Sequence, residues 1–205
     1  MLSIETVEPN TLELIKDLMS VPVLKDMRLV GGTALALQYG HRSSIDIDLF
    51  GNLDASMLDL RVALEKIGHV IVLKETENIR GYIINGVKVD IVNYSIYPWL
   101  TDPLIEDGIR LASPIDIAAM KINAIQGRGS KKDFIDMYFL LKQYTINEIL
   151  DFYARKYPEH NLFRAIISLT YFDDADKQIM PKMHRPMDWN HVKQTITSIV
   201  KDYKV

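Results

Sequence analysis

The chain has no cysteine among its 205 residues. A disulfide framework, a thiolate metal site and a cysteine nucleophile are therefore excluded, and a reducing cytoplasm is the expected setting. Long apolar runs are missing too: the stretch from Ile117 to Ile125 is broken by Lys121 and Asn123, and nothing approaches the ~18 residues that a membrane span requires. No membrane association is expected. The first ten residues lack the basic-then-apolar order of a secretory signal, and they carry Glu5 and Glu8, where a transit peptide avoids acids. Nor is there an excess of positive charge. With 24 Lys and Arg against 27 Asp and Glu the formal net charge is -3, which argues against wrapping long nucleic acid by phosphate contacts alone. A local contact to RNA or to one nucleotide stays compatible with that balance.

What is present is ordinary globular material, 48% apolar and 25% charged, enough for one domain or two small lobes sharing a core. Helix and strand periods alternate in the first half. Thr11 to Ser20 has helical spacing and ends at Pro22, Arg28 to Val30 is a short strand, and Gly31-Gly32 turns into a helix over Thr33 to Tyr39 that stops at Gly40. Ile45 to Phe50 alternates with period two and reads as a strand, Met57 to Ile67 as a helix, His69 to Leu73 as a strand. Asn85-Gly86 between Tyr82–Ile84 and Val87–Val92 is the signal of a two-residue hairpin. Beyond Pro103 strand signals nearly vanish, and helices are expected from Pro114 to about Gln126, Lys131 to Tyr144, Ile146 to Tyr157, Asn161 to Thr170 and Trp189 to Tyr203. The expected class is α+β: a small mixed sheet flanked by helices over residues 1–105, then a helical lobe over 106–205 with a cleft between them.

The chemistry concentrates in Gly31-Gly32-Thr33 and Asp46-Ile47-Asp48. Two carboxylates two residues apart on a strand project from one face, and like charges held that close call for a cation between them. With only oxygen ligands on offer, magnesium or manganese is favoured over zinc. Glycines at a strand-to-helix turn let backbone N–H groups and a helix N-terminus approach an anion, and Thr33 adds a hydroxyl donor. A bland alternative is a glycine turn followed by two solvent-facing aspartates. The hairpin register supplies a third carboxylate: pairing Ile84 with Val87 sets Asp90 opposite Gly81, leaving space beside it. Two metals bridged by Asp46 and Asp48, with Asp90 near an attacking hydroxyl, is the arrangement that in-line nucleotidyl transfer needs.

The run from Gly31 to Phe50, Gly-Gly-Thr-Ala-Leu-Ala-Leu-Gln-Tyr-Gly-His-Arg-Ser-Ser-Ile-Asp-Ile-Asp-Leu-Phe, with Asp90 on a later strand, resembles the nucleotidyltransferase superfamily with the DNA polymerase beta-like fold, and more closely the AbiEii/AbiGii toxin family. Lys121-Ile-Asn-Ala124, Arg128, Lys132-Asp133-Phe-Ile-Asp136, Leu140 and the stretch from Leu169 to Asp176 are similar to that family's pattern as well. Many superfamily members carry Gly-Ser where this chain has Gly31-Gly32, which would leave the hydroxyl to Thr33. The resemblance implies magnesium-dependent transfer of an NMP from an NTP to an acceptor hydroxyl, with RNA such as tRNA, or protein, as acceptor and an antitoxin as partner.

In those terms Asp46, Asp48 and Asp90 are the metal and catalytic residues, and Gly31, Gly32, Thr33, Arg42 and Lys121 the nucleotide-binding ones. Lys121 sits on the shoulder of an apolar helix face, from which its ammonium either reaches a β- or γ-phosphate or snorkels to solvent. Asp136 is explained by a surface ion pair with Lys132, while the family correspondence gives it a part in orienting Lys121 or the nucleophile. Asp133 and Asp116, each three residues after a serine, read as capping-box acids. Arg42 touches phosphate or acceptor RNA, or is simply solvated. Arg128, Lys131 and Lys132 form a small basic cluster, and Lys182, His184 and Arg185 are weaker anion-binding candidates. Two other readings compete: a non-catalytic module that binds nucleotide or a partner protein, and a metal-dependent glycosyltransferase using the Asp-x-Asp pair, against which the preceding glycine turn speaks.

Overall fold

The computed structural model describes residues 1–203, so the last two residues of the expected helical lobe lie outside the described part. The chain forms two compact units, one of Met1–Pro98 with Asp102–Ala112, the other of Trp99–Thr101 with the chain from Ser113 on.

The first unit is built on a seven-stranded mixed sheet. In chain order it comprises α1 (Pro9–Ser20), β1 (Met27–Leu29), α2 (Gly31–Tyr39), β2 (Ile47–Gly51), α3 (Met57–Glu65), β3 (Val70–Glu75), β4 (Ile79–Ile84), β5 (Val87–Asn93), β6 (Leu104–Glu106) and β7 (Ile109–Leu111). The strand order is β3-β4-β5-β2-β1-β7-β6. β2 runs parallel to β5 and β1 parallel to β7, and the other neighbours are antiparallel. Alternation does the folding work: along β2, Ile47 and Leu49 are buried while Asp48 and Phe50 are half-buried, so one face joins the core with Val89, Ile91, Tyr82 and Ile84 and the other keeps its polar groups. Asn85 and Gly86 both adopt positive φ, as the expected two-residue turn demands, and every pair from Ile84↔Val87 to Gly81↔Asp90 is in the expected register.

Two local expectations need correction. β2 starts at Ile47, not Ile45, so Asp46 lies just ahead of the strand. The β6–β7 hairpin falls in a region read as strandless. Its turn, Asp107-Gly108 with both φ positive, carries a hairpin signal of the same kind as Asn-Gly, but its flanking strands are only three residues each.

The second unit is helical: α4 (Pro114–Gly127), α5 (Lys131–Leu140), α6 (Ile146–Lys156), α7 (Leu162–Ser168), the single turn α8 (Asp173–Asp176) and α9 (Trp189–Asp202). α4 starts with Ser113 accepting from the Asp116 N–H and proline in its first turn, and Thr145 and Glu148 make a full capping box on α6. Ile117, Ile122, Phe134, Ile149 and Tyr153 are fully buried among these helices.

Candidate active site

The polar face of the central strands gathers the carboxylates. Parallel register sets Asp48 on β2 beside Asp90 on β5, and antiparallel register sets Asp90 beside Gly81 on β4. On the other flank the β1–α2 turn closes on Asp48. Val30 donates its N–H to the Asp48 carbonyl at 2.9 Å, and Gly31 has φ +68° with a would-be Cβ only 2.6 Å from Asp48 Oδ2. Both the left-handed backbone and the approach of the carboxylate require glycine there. The space expected beside Asp90 is taken by its own carboxylate, since a Cβ on the buried Gly81 would lie 3.0 Å from Asp90 Oδ1.

Lys88 is the residue that sequence reasoning missed. Two residues before Asp90 on β5, it shares that face, and its ammonium lies 2.5 Å from Asp90 Oδ2. Its pKa is raised: the hydrogen bond to Asp90 outweighs the lowering effect of partial burial, and the charges of Asp90, Asp46 and Asp48 add to it. A monovalent cation therefore already sits in the field of all three carboxylates. The period-two spacing to Asp90 was the available signal. Among the described residues no three acidic or histidine side chains are arranged to hold a metal ion by themselves.

Thr33 and Arg42 depart from expectation. Thr33 is buried, and its hydroxyl donates to the Asp46 carbonyl and lies 2.9 Å from Ser44 Oγ. Committed to the backbone, it positions the segment carrying Asp46 instead of presenting a donor to an anion. Arg42 is no solvated loop arginine but only 2% exposed. Its Nη1 donates to the Ser43 carbonyl at 3.0 Å, and its Nη2 takes the room that a Cβ on Gly32 would fill, 2.2 Å away. Gly32 is thus small because Arg42 packs beneath the turn.

In the helical unit Lys121 neither snorkels nor stands open. It is 5% exposed, with Nζ 2.9 Å from Asp133 Oδ1 and 2.6 Å from Asp136 Oδ2. Asp136 is fully buried, which corrects the surface-pair reading and agrees with its holding Lys121. Asp133 is more than a capping acid: it also receives Arg128 Nε at 3.2 Å and the Ser130 hydroxyl. Burial pushes its carboxyl up, yet the Lys121 charge and hydrogen bond, with Ser130 and Arg128, bring it below its ordinary value. The Asp116 carboxylate accepts from the Ser113 hydroxyl at 3.2 Å and pairs with fully buried Lys156 at 2.7 Å.

The first unit thus joins a glycine turn that feeds a helix to neighbouring strands that set two aspartates side by side. The family described as nucleotidyl transferase AbiEii toxin, type IV TA system, matches residues 13–203. An uncharacterised protein of Aquifex aeolicus (strain VF5) is 32% identical over 197 residues, spanning 93% of this chain and 94% of that one. The chain belongs to the AbiEii nucleotidyltransferase toxin family. Among solved structures, JHP933 from Helicobacter pylori is similar with a TM-score of 0.55 and 19% identity, over 95% of this chain and 92% of that one. The antibiotic-resistance factor ANT(2'')-Ia has a TM-score of 0.58 and 15% identity, over 71% of this chain and 90% of its own. At these identities the two establish a shared fold.

Proposed function

We propose that this nucleotidyltransferase moves an NMP from an NTP to the hydroxyl of an RNA or protein acceptor, with a divalent cation, as a cytoplasmic toxin paired with an antitoxin. The observation that carries the reading is the row Gly31, Asp48, Asp90 with the Lys88 ammonium already drawn to its carboxylates. Carboxylate oxygens that attract a cation fit magnesium. Magnesium is commonly held by one or two carboxylates plus substrate phosphates and waters, so Asp46 and Asp48 suffice as its protein ligands without a closed cage. Bound there, the ion would neutralise charge developing on the phosphate oxygens.

The chain's own groups do the rest. The α2 N-terminus with the Gly31-Gly32 turn receives the triphosphate, and Arg42, buried against Gly32, supports that turn. Asp90, aimed by Lys88, takes the acceptor's hydroxyl proton as its oxygen bonds to the α-phosphorus. The bond from that phosphorus to the bridging oxygen breaks, and pyrophosphate leaves with the electron pair. Within the helical unit, Asp133 and Asp136 hold the Lys121 ammonium. No helix of the described residues is long and apolar enough to cross a membrane.

The test is incubation with magnesium, each α-labelled NTP and total cellular RNA and protein. Wild type should label an acceptor, and Asp46→Ala should reduce transfer by roughly 100-fold or more with an unchanged unfolding midpoint. Full activity in a folded Asp46→Ala protein would remove the assignment.

A further inference from the structure

The turn after α5, the first residues of α6 and the last turn of α9 enclose a cavity of about 470 Å³ within the helical unit. Its wall is mainly apolar, from Leu141, Ile146 and Ile199, with the rings of Tyr144 and Tyr203 and the carboxylate of Asp202. None of these belongs to the candidate nucleotide site. An apolar cavity of this volume with a few polar groups has the size and chemistry of a small-molecule site.

The charge around it has one sign. Asp202 makes no hydrogen bond or ion pair through its carboxylate among the described residues. Leu141 caps the C-terminus of α5, and Asp202 and Tyr203 close α9, so the cavity meets the negative poles of two helices. α6 turns its N-terminus the same way, but that end already has its anion: Glu148 accepts from the Thr145 N–H at 2.7 Å and from its hydroxyl at 2.8 Å. The Tyr144 pKa is raised, by burial first and then by the Glu148 charge. Neither Lys142 nor Lys201, the lysines of these segments, lines the cavity, and the Lys142 ammonium lies 4.5 and 5.1 Å from the ring centres of Tyr138 and Phe139.

We infer that this cavity is a binding site for a small organic cation, a protonated amine on an apolar ring-sized body. The ammonium stands at Asp202 and the helix ends, with the tyrosine rings beside it, and the apolar body covers Leu141, Ile146 and Ile199. An anion would meet Asp202, Glu148 and two negative helix poles with no cation in the wall, and a neutral ligand of the same shape gains the apolar contact alone. Asp202 is exposed, so solvent screening keeps the charge preference to about fivefold.

The test titrates phenethylamine, its uncharged isostere phenethyl alcohol and the anion phenylacetate into isotope-labelled protein, with amide chemical shifts read residue by residue. Phenethylamine should saturate shifts in residues 141–147 and 199–203, with a Kd on the order of 1 mM. It should bind about fivefold more tightly than the alcohol, and phenylacetate should not saturate. Asp202→Asn should keep its unfolding midpoint and lose the preference for the amine. Asp151→Asn, at an exposed acid of α6 outside the cavity, should retain it. Acetyl-lysine amide with a free side-chain ammonium, standing for a protein side chain, should bind more weakly than phenethylamine because it lacks the ring. Equal affinity for amine and alcohol in wild type, an unchanged preference in Asp202→Asn, or saturable shifts only outside these two segments would each overturn the site. Tighter binding of the lysine amide would overturn the small-molecule assignment. No transfer assay enters, so the result is independent of the reaction proposed above.

Discussion

Gly31 and Gly32 are adjacent glycines with different reasons to be glycine. At Gly32 the backbone φ is not left-handed and the conflicting atom is the tip of the Arg42 side chain. At Gly31 the backbone itself is left-handed, and the neighbour is the carboxylate that the site depends on. Gly31→Ala should therefore cost about 1–3 kcal/mol of stability through backbone strain and reduce transfer further by pushing Asp48 aside. Gly32→Ala should lose less activity. Thermal unfolding and initial rates measured on the same two preparations separate these effects. A Gly31→Ala protein as active as wild type would show that Asp48 need not sit where the turn holds it.

Pairs of elements decide the next level, and here the α4–α5 contact is held by charge as much as by apolar packing. Lys121 on α4 faces Asp133 and Asp136 on α5, all buried. Removing Lys121 leaves Asp133 with Arg128 and takes that cation away from both carboxylates in a poorly solvated place, and breaking a buried pair from one side costs roughly 3–5 kcal/mol. Lys121→Met should be destabilised by that amount in urea unfolding, and the double change Lys121→Met with Asp136→Asn by less than the sum of the singles. The spacing of the residues did not show this pairing; only the family resemblance connected Asp136 with Lys121. Helical period marks Lys121 as a shoulder residue and Asp136 as part of a polar strip, but not which strip of which helix meets it 12 to 15 positions away. Asp48, Asp90 and Gly81 were legible because strand alternation has a period of two and Asn85-Gly86 fixes one register. Thr33 was misread because a hydroxyl beside a glycine turn looks the same whether it faces a ligand or a buried carbonyl. The β6–β7 hairpin was passed over because three-residue strands carry too little alternation to stand out, even with Asp-Gly between them.

For the whole chain, the net charge of -3 conceals how its acids are used. Some crowd an open sheet face, where they favour a cation, and others are buried against lysines in the helical unit. The second group ties stability to pH through Asp133. Its folded pKa lies below its ordinary value, so its contribution to stability is fully present above the unfolded value, about 4, and is lost as pH falls through the folded value. Wild type should hold its stability from neutral pH down to about pH 5 as far as this group is concerned, then lose it progressively toward pH 2. Asp133→Asn removes the proton-linked part and one of the two partners of Lys121. It should be less stable than wild type at pH 7, and its stability should fall less steeply below pH 4, so that the difference between the two proteins narrows with acid. Urea unfolding at pH 7, 5, 4 and 3, with the helical signal as readout, measures that difference directly. A gap that stays constant or widens toward pH 3 would mean that Asp133 owes its place to packing and hydrogen bonding alone.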